Sequence, residues 1–210
     1  EYTNPTGSYK DRFAAVAVSD MLARGCRTCI ATSSGNTGAA LAGYCAAAGI
    51  RCEIAIVEGA PQGKLRQMLA YGAALFRVRG FGIEPTISQR VMDCLQRLSA
   101  APDAALQISA FHYCPTGMTG VYSIAHEMAA QVEVPWDDVF CMAGSGGLAL
   151  ATAVGFEQAL AAGSLSQLPR VHCVQPEGND TIATPLRTGS PTAVPVTCTS
   201  KISGLQVPNI

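Results

Sequence analysis

Short apolar, often β-branched runs alternate with helical stretches along most of this chain, and that alternation admits few folds. Arg27-Thr-Cys-Ile-Ala-Thr32, Arg51-Cys-Glu-Ile-Ala-Ile-Val57, Ala74–Val78, Asp138–Met142 and Arg170–Val174 read as buried strands. Between them lie helical patterns. These are Arg12–Arg24 before Gly25, Ala39–Ala48 closed by Gly49, Gln62–Tyr71, Pro85–Ala100, Met118–Gln131, and a small-residue stretch from Leu148 to Ala162. Ile87, Val91, Leu95 and Leu98 fall on one side of the fourth pattern. Parallel strands need crossovers, commonly helices, so the order predicts an α/β fold with helices packed on parallel sheets. A boundary in the Phe111–Thr116 loop divides the chain into two α/β domains, 1–113 and 114–210. From Pro176 onward Pro, Thr and Ser dominate and periodicity fades.

Composition narrows the function classes. The 210 residues are 49% hydrophobic and 14% charged with a formal net charge of −1, enough for a substantial core and no basic footprint for nucleic acid or an anionic membrane. Apolar runs such as Ala39–Ala48 are too short and too broken to span a bilayer, and no charged-then-apolar leader precedes the first strand. Nine cysteines at irregular spacing fit a reduced, cytoplasmic protein better than a disulfide framework. Cys26-x-x-Cys29 has no second pair, and His112, His126 and His172 show no ligand spacing, so no metal is expected.

Three loops carry the candidate chemistry. Asn4-Pro-Thr-Gly-Ser-Tyr-Lys-Asp-Arg12 combines a turn signal with a helix start. Ser8 is the expected N-cap and Asp11 an imperfect capping-box acid, which puts Lys10 in the first helical turn. An ammonium there faces the positive end of the helix dipole, so the position suits a lysine that works as a neutral amine against an aldehyde. Ser33-Ser34-Gly35-Asn36-Thr37-Gly38 joins a strand to a helix, at the strand end where α/β proteins bind ligands, and its amides and hydroxyls suit a carboxylate. Taken alone, it can also be read as an ordinary capped loop. Gly144-Ser145-Gly146-Gly147-Leu148 is a glycine-rich strand-to-helix turn that suits a phosphate. It also matches a dinucleotide pattern, but the nearest acidic partner, Glu177, comes about thirty positions on rather than about twenty.

The nine residues Asn4–Arg12 resemble the cofactor-lysine motif of threonine synthase and its relatives among the tryptophan-synthase-β-like (fold type II) pyridoxal-phosphate enzymes. Gly63–Ala73, Gly80-Phe-Gly82, Gly155–Gln158 and Leu168–Gly178 also resemble that family in order. The resemblance implies a fold type II enzyme of two parallel-sheet α/β domains, the second incomplete here, since it spans only the middle of a family member. It implies pyridoxal 5'-phosphate on Lys10 as a Schiff base. It assigns Asn36 to the cofactor's ring hydroxyl, Ser33, Ser34, Gly35, Asn36 and Thr37 to the substrate carboxylate, and Gly144, Ser145, Gly146, Gly147 and Leu148 to the cofactor phosphate. The implied activity is elimination or replacement on an amino acid, most like conversion of O-phosphohomoserine to threonine, in a protein that is commonly a homodimer.

Two departures bear on the reaction. Ser145 and Leu148 look more like the loops of cysteine synthases and amino-acid dehydratases, and Cys114-Pro115 stands where the family tends to carry Asn-Pro. A β-replacement or β-elimination enzyme is therefore the nearest alternative. A non-catalytic cofactor-binding chain is another, because the family's group facing the pyridine nitrogen is expected beyond Ile210; a dinucleotide oxidoreductase is more distant. Cys114 is the cysteine expected nearest the site, and Lys64 and Arg66 are candidates for a substrate phosphate or simply solvated charges.

Overall fold

The computed structural model describes residues 1–33, 35–132, 136–205 and 207, with Ser203 described by its backbone alone. Among these residues every strand pairing is parallel, as strands joined through helices require. The chain falls into two compact units, Glu1–Gly120 and Val121–Ile210. No helix among the described residues is long and apolar enough to cross a membrane.

In the first unit, β1 (Thr28–Thr32), β2 (Arg51–Ile56), β3 (Ala74–Arg77) and β4 (Ala104–Gln107) form one sheet in the order β3-β2-β1-β4. The helices are α1 (Lys10–Ala23), α2 (Asn36–Ala48), α3 (Gln62–Ala70), α4 (Pro85–Leu98) and α5 (Pro115–Thr119). α1 buries Phe13, Ala14, Ala17, Val18 and Met21, spacings that line one face of a helix. α2 is built of small residues because its neighbours come close. A Cβ on Gly38 would lie 2.9 Å from the Met68 thioether, and one on Gly43 2.9 Å from the Thr6 methyl. Phe13, Met21, Leu41, Ile54, Ile56 and Met68 are fully buried, and truncating Phe13 to alanine would cost about 3–5 kcal/mol.

The second unit carries α6 (Ser123–Gln131), β5 (Asp138–Met142), α7 (Gly147–Ala161), β6 (Arg170–Val174) and α8 (Ala183–Thr188), with β5 and β6 paired in parallel. Gly155 of α7 lies against α6, where a Cβ would meet the Tyr122 carbonyl at 2.6 Å.

Four sequence expectations need correction. β4 was not anticipated: Ala-Ala-Leu-Gln is four residues without β-branching. Leu98 is 51% exposed while Ile87, Val91 and Leu95 pack on the sheet. Leu98 is the last residue of α4 and does not join the cluster that Ile87, Val91 and Leu95 form with the sheet. The helix expected over Met118–Gln131 is interrupted by a 3-10 turn at Gly120–Tyr122. Gly120 sits against the α1 backbone so closely that a Cβ there would lie 2.1 Å from the Arg12 carbonyl oxygen. The region after Pro176 also holds short structure, α8 and a 3-10 turn at Ser203–Leu205. The expected terminal loop Gln206–Ile210 lies outside the described residues except for Val207.

Candidate active site

The turn before α1 positions Lys10. Gly7, at φ 86, donates its N–H to the Asn4 carbonyl at 2.8 Å, and the Asn4 amide donates to the Ser8 carbonyl at 3.1 Å. Ser8 does not occupy the N-cap: Tyr9 does, in a helical conformation, and the Ser8 hydroxyl accepts the Lys10 N–H at 3.3 Å. Asp11 is no capping acid for Ser8. Its buried carboxylate accepts the Thr6 N–H at 2.9 Å and the Thr6 hydroxyl at 2.6 Å, which folds the turn back onto the helix it precedes. On the far side, the Gln67 amide donates to the Thr6 carbonyl at 3.0 Å and ties the turn to α3.

Lys10 Nζ donates to the Ser109 hydroxyl at 2.8 Å and lies 4.6 Å from the centre of the Tyr9 ring. Ser109 Oγ also lies 3.6 Å from the Met118 sulfur, a weak acceptor for its proton. Sequence reasoning missed Ser109, which follows the unanticipated β4. Ala31 and Gln107 are register partners in β1 and β4, so Ser33 and Ser109 follow the carboxyl ends of adjacent parallel strands. Ligands of parallel α/β sheets bind at such ends.

Ser33 shapes the second loop. Its hydroxyl accepts the N–H groups of Gly35 at 3.1 Å and Gly38 at 2.9 Å, satisfying donors that open α2. Its own proton faces the Gly35 carbonyl at 3.5 Å, a long contact. Gly35 and Thr37 are half-buried and Asn36 is exposed, as the first residue of α2. Ser34 lies outside the described residues.

In the second unit, Gly144–Leu148 joins β5 to α7. Gly146 adopts φ 80 at the α7 N-cap, a left-handed conformation that favours glycine. A Cβ on Gly144 would meet the Gly204 carbonyl at 2.8 Å, and one on Gly146 the Ile182 side chain at 2.9 Å. Gln175, absent from the sequence reading as a site residue, braces the loop. Its amide donates to the Gly144 carbonyl at 3.2 Å and its oxygen accepts the Ile182 and Ala183 N–H groups, each at 2.9 Å. Ser145 is exposed, and the N–H groups opening α7 point out of the helix start, as a phosphate requires.

The remaining candidates divide plainly. Cys114 is buried and donates to the Gln107 side chain at 2.9 Å, and burial pushes its thiol up, so it packs rather than reacts. Lys64 donates to Gln67 at 3.1 Å, and through it reaches the Thr6 carbonyl, whereas Arg66 is exposed. His172 Nε2 lies 2.6 Å from Asp138, whose carboxyl is held well below its usual range by hydrogen bonds from Arg170 and His172. All nine cysteines are free.

The first unit carries a lysine amine bonded to a serine that follows one strand of a parallel sheet, with the Ser33 loop after the adjacent strand, and the second unit carries a glycine-rich strand-to-helix turn; both are parallel α/β units. The whole chain, residues 1–210, matches the family described as pyridoxal-phosphate dependent enzyme, and it belongs to that family. Among curated proteins it is 35% identical to the threonine synthase of Mycobacterium leprae over 208 residues, covering 96% of this chain and 53% of that protein. It is 31% identical to the threonine synthase of Methanosarcina acetivorans over 198 residues, covering 93% of this chain and 46% of that one. The chain thus spans about half the length of the curated relatives it matches. Its fold is similar to that of the threonine deaminase of T.th., with a TM-score of 0.76 and 25% identity, covering 99% of this chain and 63% of that one. It also resembles a pyridoxal 5'-phosphate-dependent aspartate racemase, with a TM-score of 0.77 and 23% identity, over 97% of this chain and 58% of that one. The cofactor of the family is pyridoxal phosphate. The residues present fit it: in the first unit a half-buried lysine amine held by one hydroxyl, and in the second a glycine-rich turn at the start of α7 whose Gly146 takes a left-handed conformation.

Proposed function

We propose that this protein is a pyridoxal-phosphate enzyme that eliminates or replaces a group on an amino acid, most like threonine synthase. Its substrate would be O-phosphohomoserine and its product threonine. The observation that carries this reading is the Lys10 amine, held by Ser109 at the carboxyl end of β4, beside the β1 end that carries the Ser33–Thr37 loop. The matches to threonine synthases over nearly the whole chain support it. Homodimeric assembly in the cytoplasm is part of the same reading, on the habit of the resembled family.

In this reading Lys10 would hold the cofactor through Nζ, and its neutral amine would move the proton at the substrate α-carbon. Ser109 orients that amine. Gly35, Asn36 and Thr37, with Ser33 and Ser34, bind the substrate carboxylate at the start of α2, and Asn36 also meets the cofactor's ring hydroxyl. Ser33 keeps the loop in shape through the Gly35 and Gly38 N–H groups. Gly144, Ser145, Gly146, Gly147 and Leu148 bind the cofactor phosphate through backbone N–H groups, with Gln175 holding the loop open. When bound, the cofactor takes up the electron pair left at the α-carbon.

The test is turnover of the purified chain with three substrates. O-phosphohomoserine should release inorganic phosphate and yield threonine. Cysteine from O-acetylserine and sulfide, or 2-oxobutanoate from threonine, would instead select the β-replacement or elimination reading that Ser145 and Leu148 favour. Cofactor attachment with no turnover of any of the three would leave a cofactor-binding chain.

A further inference from the structure

Three cysteines that the cofactor chemistry does not use meet inside the first unit. Cys29 of β1 and Cys52 of β2 are register partners in adjacent parallel strands, so their side chains leave the same face of the sheet. α2 brings Cys45 to that face. Cys29 and Cys45 are wholly buried and Cys52 is 5% exposed, and the three Sγ atoms all lie within 4.8 Å of one another. The Cys26-x-x-Cys29 spacing gave no sign of this, because Cys45 and Cys52 come from other elements and Cys26 is not in the group.

That spacing is close to a coordination sphere. Sulfurs no more than 4.8 Å apart leave a point within about 2.8 Å of all three, against a usual metal–thiolate distance of about 2.3 Å. Small side-chain rotations close the difference. Among the described residues no histidine, aspartate or glutamate joins the group, so the protein offers three ligands and not four. A tetrahedral Zn(II) site lacks its fourth ligand here, and in this dry interior water is a poor substitute. An all-sulfur, three-ligand, buried site suits a soft ion that is content with low coordination.

We propose that Cys29, Cys45 and Cys52 form a buried three-sulfur site for a single Cu(I) ion. Each bond formed to a thiolate releases that thiol's proton to solvent, and copper stays Cu(I) throughout, so no electron moves. The bound ion ties β1, α2 and β2 together. β1 runs directly into the Ser33 loop and α2 begins at Asn36, so the ion braces the two elements that flank the loop.

The experiment is an anaerobic competition for Cu(I) between the purified full chain and the chromophoric chelator bicinchoninate, with ascorbate as reductant. The parent should withdraw one equivalent of Cu(I) from the chelator. Cys29→Ala, Cys45→Ala and Cys52→Ala should each lose that retention, while Cys26→Ala and Cys94→Ala keep it. Copper-edge X-ray absorption of the loaded parent should count three sulfur neighbours, a reading that no variant's folding can disturb. Failure of the parent to compete, equal retention by Cys29→Ala, a nitrogen- or oxygen-rich shell, or tighter retention of Zn(II) than of Cu(I) would each overturn the site.

Discussion

Asp11 receives both the backbone N–H and the hydroxyl of Thr6, at 2.9 and 2.6 Å, in a buried contact that clamps the turn preceding Lys10 to the helix that carries it. The lysine's position therefore depends on an acid one residue away that never faces the ligand. Asp11→Ala leaves two buried Thr6 donors unpaired, a cost of about 1–3 kcal/mol for each. Urea unfolding should show that loss, and pyridoxal phosphate should bind more weakly. Asp11→Asn, which keeps one acceptor, should fall between Asp11→Ala and the parent.

Ser109 accepts a hydrogen bond from the Lys10 amine at 2.8 Å, and in the proposed function it acts through that lysine. Ser109→Ala should leave cofactor attachment in place while slowing α-proton exchange of a bound amino acid about tenfold, because the amine loses its orienting partner. Ser109→Thr, which keeps the hydroxyl, should recover most of the rate. Deuterium incorporation followed by NMR measures both.

Gly146 stands at φ 80 with the Ile182 side chain 2.9 Å from where a Cβ would be. Gly146→Ala adds strain of roughly 1–2 kcal/mol to the left-handed residue and crowds the loop. If the loop serves the cofactor phosphate, the variant should lose much of the parent's preference for pyridoxal phosphate over pyridoxal. Fluorescence titration with the two ligands gives that ratio directly, and an unchanged ratio would place the phosphate elsewhere.

Gly120 is a packing glycine, since a Cβ there would overlap the Arg12 carbonyl oxygen at 2.1 Å. Gly120→Ala should destabilise the first unit by about 3 kcal/mol, because backbone rather than a flexible side chain must give way. Gly59→Ala, where a Cβ meets nothing within 4 Å, should change stability by no more than about 0.5 kcal/mol. Thermal melts of the two variants test the contrast.

The parts that sequence reasoning reached are those whose chemistry is local. The turn and helix around Lys10, the strand-loop-helix at Ser33–Gly38 and the glycine turn at Gly144–Leu148 each announce themselves within a few residues. What it missed is set by distance. Ser109 meets Lys10 from 99 positions along the chain, after a strand whose Ala-Ala-Leu-Gln carries no strand signal. Asp11 stands at a capping acid's spacing from Ser8, yet its carboxylate takes the N–H and hydroxyl of Thr6 instead. Leu98 keeps the helical period but does not join the cluster on the sheet, and the helix break at Gly120 comes from α1 pressing on it. Gln175 and the Cys29–Cys45–Cys52 group likewise draw on elements far apart in sequence.

The central claim is that Lys10 carries the cofactor. A visible absorbance titration of the full chain with pyridoxal phosphate, beside Lys10→Ala, tests it most directly. The account predicts a saturable visible band in the parent that is absent from Lys10→Ala. No band in the parent, or bands of equal strength in both proteins, would contradict it.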